Sequence, residues 1–171
     1  MREVRLPDGV GGRLWLAAMP GTVVPFGEDG HVWRRLAIDR VLCLTPWEEL
    51  AARSPAYLRA IQQNHLPCRW ESFPIDDYDV AGDDDLLRIA GEAVAWLRAG
   101  ELLLIHCGAG VGRTGTVAAC ILLQLGFDHA TAVTRVREVG SEPETVEQEE
   151  QVAAIAASIA AGAGRVGGAD G

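Results

Sequence analysis

Short apolar runs alternate with stretches of helical period along most of the chain. Residues 13–17 read as a first strand and 39–44 as a second. Pro46 opens a helical stretch to about Gln63, since proline suits a first helical turn. Residues 67–73 alternate polar and apolar side chains, the mark of a third strand. Asp83, Asp84 and Asp85 complement the positive end of a helix that runs to Arg98 and is closed by Gly100. The run 102–106 is apolar up to His106, as befits a strand buried on both faces of a parallel sheet. A glycine-rich loop then leads into a helix over 114–125, ended by Gly126. Asp128 caps a further helix to about Val139, and 144–160 forms the last. This order predicts an α/β domain with a central, mostly parallel β-sheet flanked by helices and a helical C-terminal part. The domain spans residues 1–160, followed by a Gly/Ala-rich tail over 161–171.

Charge and residue usage narrow what such a domain can do. The 171 residues carry 15 basic against 24 acidic side chains, a net charge of −9. Such a surface repels nucleic acid and anionic membranes, so neither is an expected partner. Every basic residue is arginine, which excludes Schiff-base lysine chemistry and a lysine-bearing Walker loop. The longest apolar runs, 14–19 and 117–123, are too short to span a bilayer. The N-terminus lacks the apolar core of a secretory signal. Cys43, Cys68, Cys107 and Cys120 show neither CxxC spacing nor a metal-like pairing with histidines. The expectations are reduced thiols, a cytoplasmic monomer, no metal and no cofactor. Cys43, Cys68 and Cys120 read as core residues, with Cys43 also a candidate redox partner for Cys107.

The chemistry concentrates in one loop. Cys107 ends the 102–106 strand and Arg113 opens the next helix, with Gly108, Ala109, Gly110, Val111 and Gly112 between them. Glycines let the loop curl until its N–H groups converge, and the helix end adds its positive dipole. The result is a cradle for a tetrahedral dianion, and its field favours the thiolate of Cys107. Arg113 supplies a planar fork that matches two phosphate oxygens. Nucleophile, cradle and clamp are the parts of covalent phosphoryl transfer. The same residues also spell GxGxxG over 110–115, but a dinucleotide site needs a second strand ending in an acid about 20 positions on. Residues 116–125 and 129–139 both read as helices instead.

The segment His106–Gly115 resembles the HCxxGxxRTG signature of the cysteine-based protein tyrosine and dual-specificity phosphatases. Phe73-Pro74-Ile75-Asp76-Asp77 is similar to the PIxD acid loop of the compact dual-specificity branch, and Thr145-Val146-Glu147-Gln148 to its late TxEQ segment. The likeness covers about Gly12 to Ala160. Two positions depart from the pattern: Ala81 stands where a proline is common, and Glu144 where phosphotyrosine-specific enzymes carry a water-positioning glutamine. The resemblance implies a metal-independent phosphatase that works through a cysteinyl-phosphate. Cys107 is then the nucleophile, and Arg113 with the loop amides of residues 108–112 binds phosphate. Thr114 eases departure of the sulfur, His106 organises the loop and Gln148 helps position water. Asp76, Asp77 and Asp79 are candidate general acids, and the PIxD pattern falls on Asp77. The substrate expected is a phosphorylated protein or a small phosphomonoester. Because the variable loop positions Gly108, Ala109, Val111 and Gly112 are uncharged, phosphoproteins are favoured over phosphoinositides. The rival readings are a non-catalytic phosphate-reading module, or a phosphatase of small-molecule phosphates or phosphoinositides.

Overall fold

The computed structural model describes residues 1–166, so the end of the 161–171 tail lies outside the described residues. Five strands, β1 (Arg2–Val4), β2 (Arg13–Ala17), β3 (Arg40–Cys43), β4 (Arg69–Ser72) and β5 (Leu102–His106), form one sheet in the order β1-β2-β5-β3-β4. Only β1 runs antiparallel to its neighbour. The helices are α1 (Phe26–Leu36), α2 (Trp47–Arg53), α3 (Pro55–Gln62), α4 (Asp83–Arg98), α5 (Gly112–Gln124), α6 (His129–Glu138) and α7 (Val146–Val166).

Alternation along the inner strands divides the core between the two faces of the sheet. Leu14, Leu16, Leu42, Leu103 and Ile105 pack with Ala90, Leu97, Val117, Ile121, Val136 and Val152 from α4 to α7. Ala17, Val41, Cys43 and Leu104 pack on the other face with Trp33, Leu50 and Tyr57 from α1 to α3. The middle helix, α5, is buried along nearly its whole length, which is why it reads as apolar on all sides rather than as an amphipathic stripe.

Several boundaries differ from the sequence reading. The helical stretch 46–63 is two helices: Ser54 sits at φ −144 between them. Pro55 disfavours α geometry in the residue before it, and the Ser54 hydroxyl donates to Pro20 O at 2.6 Å. Helix α1 carries no expected signal, having Gly27 and Gly30 inside it and no side-chain cap at Pro25. Asp128 does cap α6, accepting from Thr131 N at 2.9 Å. The last helix starts at Val146 and continues to Val166, so the tail boundary at 160 falls inside it.

His106 closes β5 entirely out of solvent, with Nε2 3.0 Å from the Tyr57 hydroxyl and Nδ1 3.3 Å from Cys107 O. Burial pulls its pKa from 6.5 down to about 4, so the ring is neutral. The unfolded chain takes up this proton as pH falls through 6.5, and the fold does not until about 4. Stability therefore declines on acidification through that window, at up to about 1.4 kcal/mol per pH unit. Urea unfolding should show a loss of about 2 kcal/mol between pH 7.5 and pH 5. That slope should be missing in His106→Asn, whatever the variant's absolute stability.

Candidate active site

The parallel strands β2, β5, β3 and β4 all end at one edge of the sheet, the edge where open α/β sheets hold their ligands. From that edge β2 delivers Ala17, Ala18 and Met19. Strand β5 delivers Cys107 and its loop, β3 leads to α2 with Glu49, and β4 leads to the segment holding Asp76, Asp77 and Asp79.

The 107–113 loop is fixed through its carbonyls. Cys107 O lies against His106 Nδ1, and Gly108 O accepts from Met19 N at 3.0 Å. Gly110 O accepts from Ser141 Oγ at 2.7 Å and from the Arg2 guanidinium. Val111 O accepts from Gly115 N at 2.7 Å and Gly112 O from Thr116 Oγ1 at 2.9 Å. In a trans peptide the C=O and the following N–H point opposite ways. Carbonyls held outside the loop therefore turn the amides of Gly108, Ala109 and Val111 to its inside. Gly110 donates its own N–H to Cys107 Sγ at 3.2 Å. One glycine is required outright: at Gly110 φ is +77 and a Cβ would lie 2.3 Å from Ala17 O, whereas at Gly108 the nearest atom, Arg53 Nη1 at 2.4 Å, ends a flexible side chain that can move aside.

Arg113 is only 2% exposed. Its Nη1 donates to Glu49 Oε2 and to Ile75 O, both at 2.9 Å. Its Nη2 reaches Glu49 Oε1 at 3.3 Å and Asp77 Oδ1 at 2.8 Å. Its Nε makes no hydrogen bond among the described residues. Burial lowers the guanidinium's pKa, but the hydrogen bonds and charge of Glu49, with Cys107 and Asp77, raise it above the ordinary value. Glu49 is likewise pushed up by burial and held below the usual carboxylate range by Arg113 and Arg53. Glu49 was missed in the sequence. The available signal was the arginine itself, since a buried guanidinium requires a counter-charge.

The three candidate acids part company here. Asp77 turns to Arg113, whereas Asp79 accepts from Val80 N at 2.8 Å and closes its own turn. Asp76 supplies its backbone carbonyl to Asp79 N at 3.1 Å. Gln148 is buried, with Oε1 accepting from Glu144 N at 2.9 Å and Nε2 donating to Asp79 O at 3.1 Å. It ties the 76–79 segment to the start of α7 and keeps one amide N–H uncommitted. Gln151, not singled out in the sequence, holds the same loop further on through Ala81 O and Asp83 Oδ1. The Thr114 hydroxyl is buried without a hydrogen-bond partner among the described residues, so its expected bond to Cys107 Sγ is not made in this structure.

Cys107, Ala109, Gly112, Arg113, Arg53, Asp77, Tyr78, Glu144 and Gln148 line one cavity of about 200 Å³. The other thiols stand apart from it. Burial raises Cys43 and Cys68 to about 11 and Cys120 to about 12. Cys43 packs in the cluster on one face of the sheet and Cys107 in the cluster on the other. Among the described residues no group of His, Cys, Asp or Glu could hold a metal ion. No helix there is long and apolar enough to cross a membrane.

Structural comparison finds the same fold in known phosphatases. The kinase associated phosphatase (KAP), with its catalytic-site cysteine replaced by serine, is 22% identical with a TM-score of 0.81, covering 94% of this chain and 95% of its own. Tk-PTP in the active form is 27% identical with a TM-score of 0.70, covering 86% and 94%. PTPMT1 in complex with PI(5)P is 16% identical with a TM-score of 0.69, covering 93% and 97%. Comparison with curated protein sequences yields no match. The family described as Swiss Army Knife protein, DSP-PTPase phosphatase domain, matches residues 23–164. By that match the chain belongs to the dual-specificity phosphatase family.

Proposed function

We propose that this chain hydrolyses phosphomonoesters through a phosphocysteine on Cys107, with Arg113 as the phosphate clamp and Asp77 as the general acid. The observation that carries this reading is the shared cavity. It holds Cys107, whose Sγ accepts a loop amide, together with an Arg113–Asp77 pair at 2.8 Å.

Three of the five guanidinium N–H groups are already engaged, by Glu49 and Ile75 O, and Asp77 pairs with Nη2 by charge at 2.8 Å. An entering phosphate meets the free Nε–H and displaces Asp77 from its ion pair with Nη2. Glu49 and the Ile75 carbonyl keep the fork in place through this exchange. Asp77, displaced from its cation, is then free to turn to the leaving oxygen. The Cys107 thiolate attacks phosphorus and forms the S–P bond. The ester P–O bond breaks, and Asp77 gives its proton to the departing oxygen. In the second step Asp77 takes a proton from water as the water oxygen bonds to phosphorus and the S–P bond breaks. The unpartnered Thr114 hydroxyl is a donor available to the departing sulfur, and the spare Gln148 N–H is available to the water.

The fold does not set the substrate, since PTPMT1 shares it and was solved with PI(5)P. The choice falls to the cavity walls. Of the basic residues there, Arg113 belongs to the clamp and Arg53 is paired with Glu49 at 2.7 Å. Glu144 brings a carboxylate against Gly112, where a Cβ would meet its Oε2 at 2.4 Å. A second phosphate on the substrate would face that carboxylate without a compensating cation. Phosphoprotein substrates of the phosphotyrosine kind are therefore favoured over phosphoinositides.

Cys107→Ser should abolish release of p-nitrophenol from p-nitrophenyl phosphate while oxyanion binding persists, and Arg113→Lys should also cost activity heavily because a point charge cannot replace the fork. Turnover by the unmodified protein is the result that separates an enzyme from a phosphate-reading module. Asp77→Asn should lower kcat on a phosphotyrosyl peptide by about 10²–10⁴. Its defect should shrink on p-nitrophenyl phosphate, whose leaving group needs little protonation. A crippled Asp76→Asn or Asp79→Asn beside a normal Asp77→Asn would reassign the acid. Glu144→Lys should narrow the preference for phosphopeptide over PI(5)P by about tenfold in kcat/KM, equivalent to about 1.4 kcal/mol.

A further inference from the structure

Arg2 stands outside the cavity and outside every motif named in the sequence, yet it makes three contacts around the phosphate loop. Its Nη1 donates to Gly140 O, and its Nη2 donates to Gly110 O and to Ser141 Oγ, the last at 3.1 Å. Ser141, itself fully buried, donates to the same Gly110 carbonyl at 2.7 Å. Pairing of Arg2 with Leu16 carries the guanidinium to this point from the edge of the sheet. Three separate segments thus meet on one side chain: β1, the phosphate loop and the α6–α7 connection that leads to Glu144 and Gln148.

The consequence for the loop follows from peptide geometry. Gly110 and Val111 share one planar peptide, so holding the Gly110 carbonyl outward turns the Val111 N–H inward. Gly110 is pressed from the other side by Ala17 and Ala18, where a Cβ would come within 2.3 Å of Ala17 O. Its φ of +77 is open to a glycine that could also turn the other way. A flip of that peptide would aim a carbonyl oxygen at the anion. Burial lowers the Arg2 pKa and the charge of Cys107 raises it in part.

We infer that Arg2, with Ser141, is a positioning residue that locks the Gly110–Val111 peptide with its N–H toward the phosphate. This inference rests on the phosphatase reading for its catalytic part only, because oxyanion binding can be measured without turnover.

The test compares Arg2→Met, Arg2→Lys and Ser141→Ala with the unmodified protein. Tungstate affinity is measured by calorimetry well below each melting temperature, and kcat and KM on p-nitrophenyl phosphate alongside. Arg2→Met should weaken tungstate binding about tenfold or more and lower kcat/KM by about 10–100-fold, the scale of a misplaced positioning group. Arg2→Lys, which keeps the charge but reaches fewer carbonyls, should fall between. Ser141→Ala should show a smaller loss of the same kind, and it decides the matter should Arg2→Met fail to fold. A lower melting temperature with unchanged tungstate affinity would mean a purely structural role and overturn the inference. Arg2-dependent tungstate binding in a protein without turnover would uphold the inference and sink the phosphatase reading instead.

Discussion

A guanidinium with 2% exposure cannot be left alone, and the arrangement around Arg113 follows from that constraint. Taking one ion from water costs several kcal/mol even after relaxation, and good geometry with full hydrogen bonding is needed to offset it. Glu49 meets two of the N–H groups from the first turn of α2, the Ile75 carbonyl meets one at the end of β4's extension, and Asp77 adds a second carboxylate at 2.8 Å from Nη2. Helix α2 and the acid loop are thereby drawn to the mouth of the phosphate loop from two different strands. Arg53 in turn neutralises Glu49 one helical turn on.

The permanence of these contacts differs, and that difference suits an anion site. Glu49 is partly buried and doubly paired, so it holds the fork whether or not phosphate is present. Asp77 is more than half exposed and can leave for solvent or for a leaving group at small cost. A phosphate dianion competes with Asp77 far better than with Glu49. In the proposed mechanism the first contact to yield is then the one that frees Asp77, so phosphate binding and acid placement are linked through the Arg113–Asp77 ion pair.

The sequence made the 107–113 loop legible because its requirements are local. Seven consecutive positions, from Cys107 to Arg113, carry the thiol, the close backbone approaches and the fork, and the strand before them and helix after them are read from apolar period alone. Asp77 could be picked out by pattern, although Asp76 and Asp79 differ from it only in direction, which a turn with Tyr78 at φ 63 decides. Glu49 was illegible for the opposite reason. Its partner lies 64 positions away, and an acidic residue in the first turn of a helix is ordinarily explained by the dipole. Helix α1 was lost because what holds it is Trp33 packed edge-on against Phe26 and Tyr57, a tertiary contact that overrides two glycines.

The supports of the loop are the least local part of all. A curled loop needs as many outward acceptors satisfied as it has inward donors, since buried carbonyls left bare are costly. Here the donors come from β1 through Arg2, from the end of β2 through Met19, from the α6–α7 connection through Ser141 and from α5 through Thr116. None of these residues touches the cavity, and their spacing in the chain obeys no motif. Each is replaceable by any donor that reaches the same carbonyl, so the signature residues alone cannot specify them. The short motif states what must face the phosphate, and the fold determines which of its peptides are able to do so.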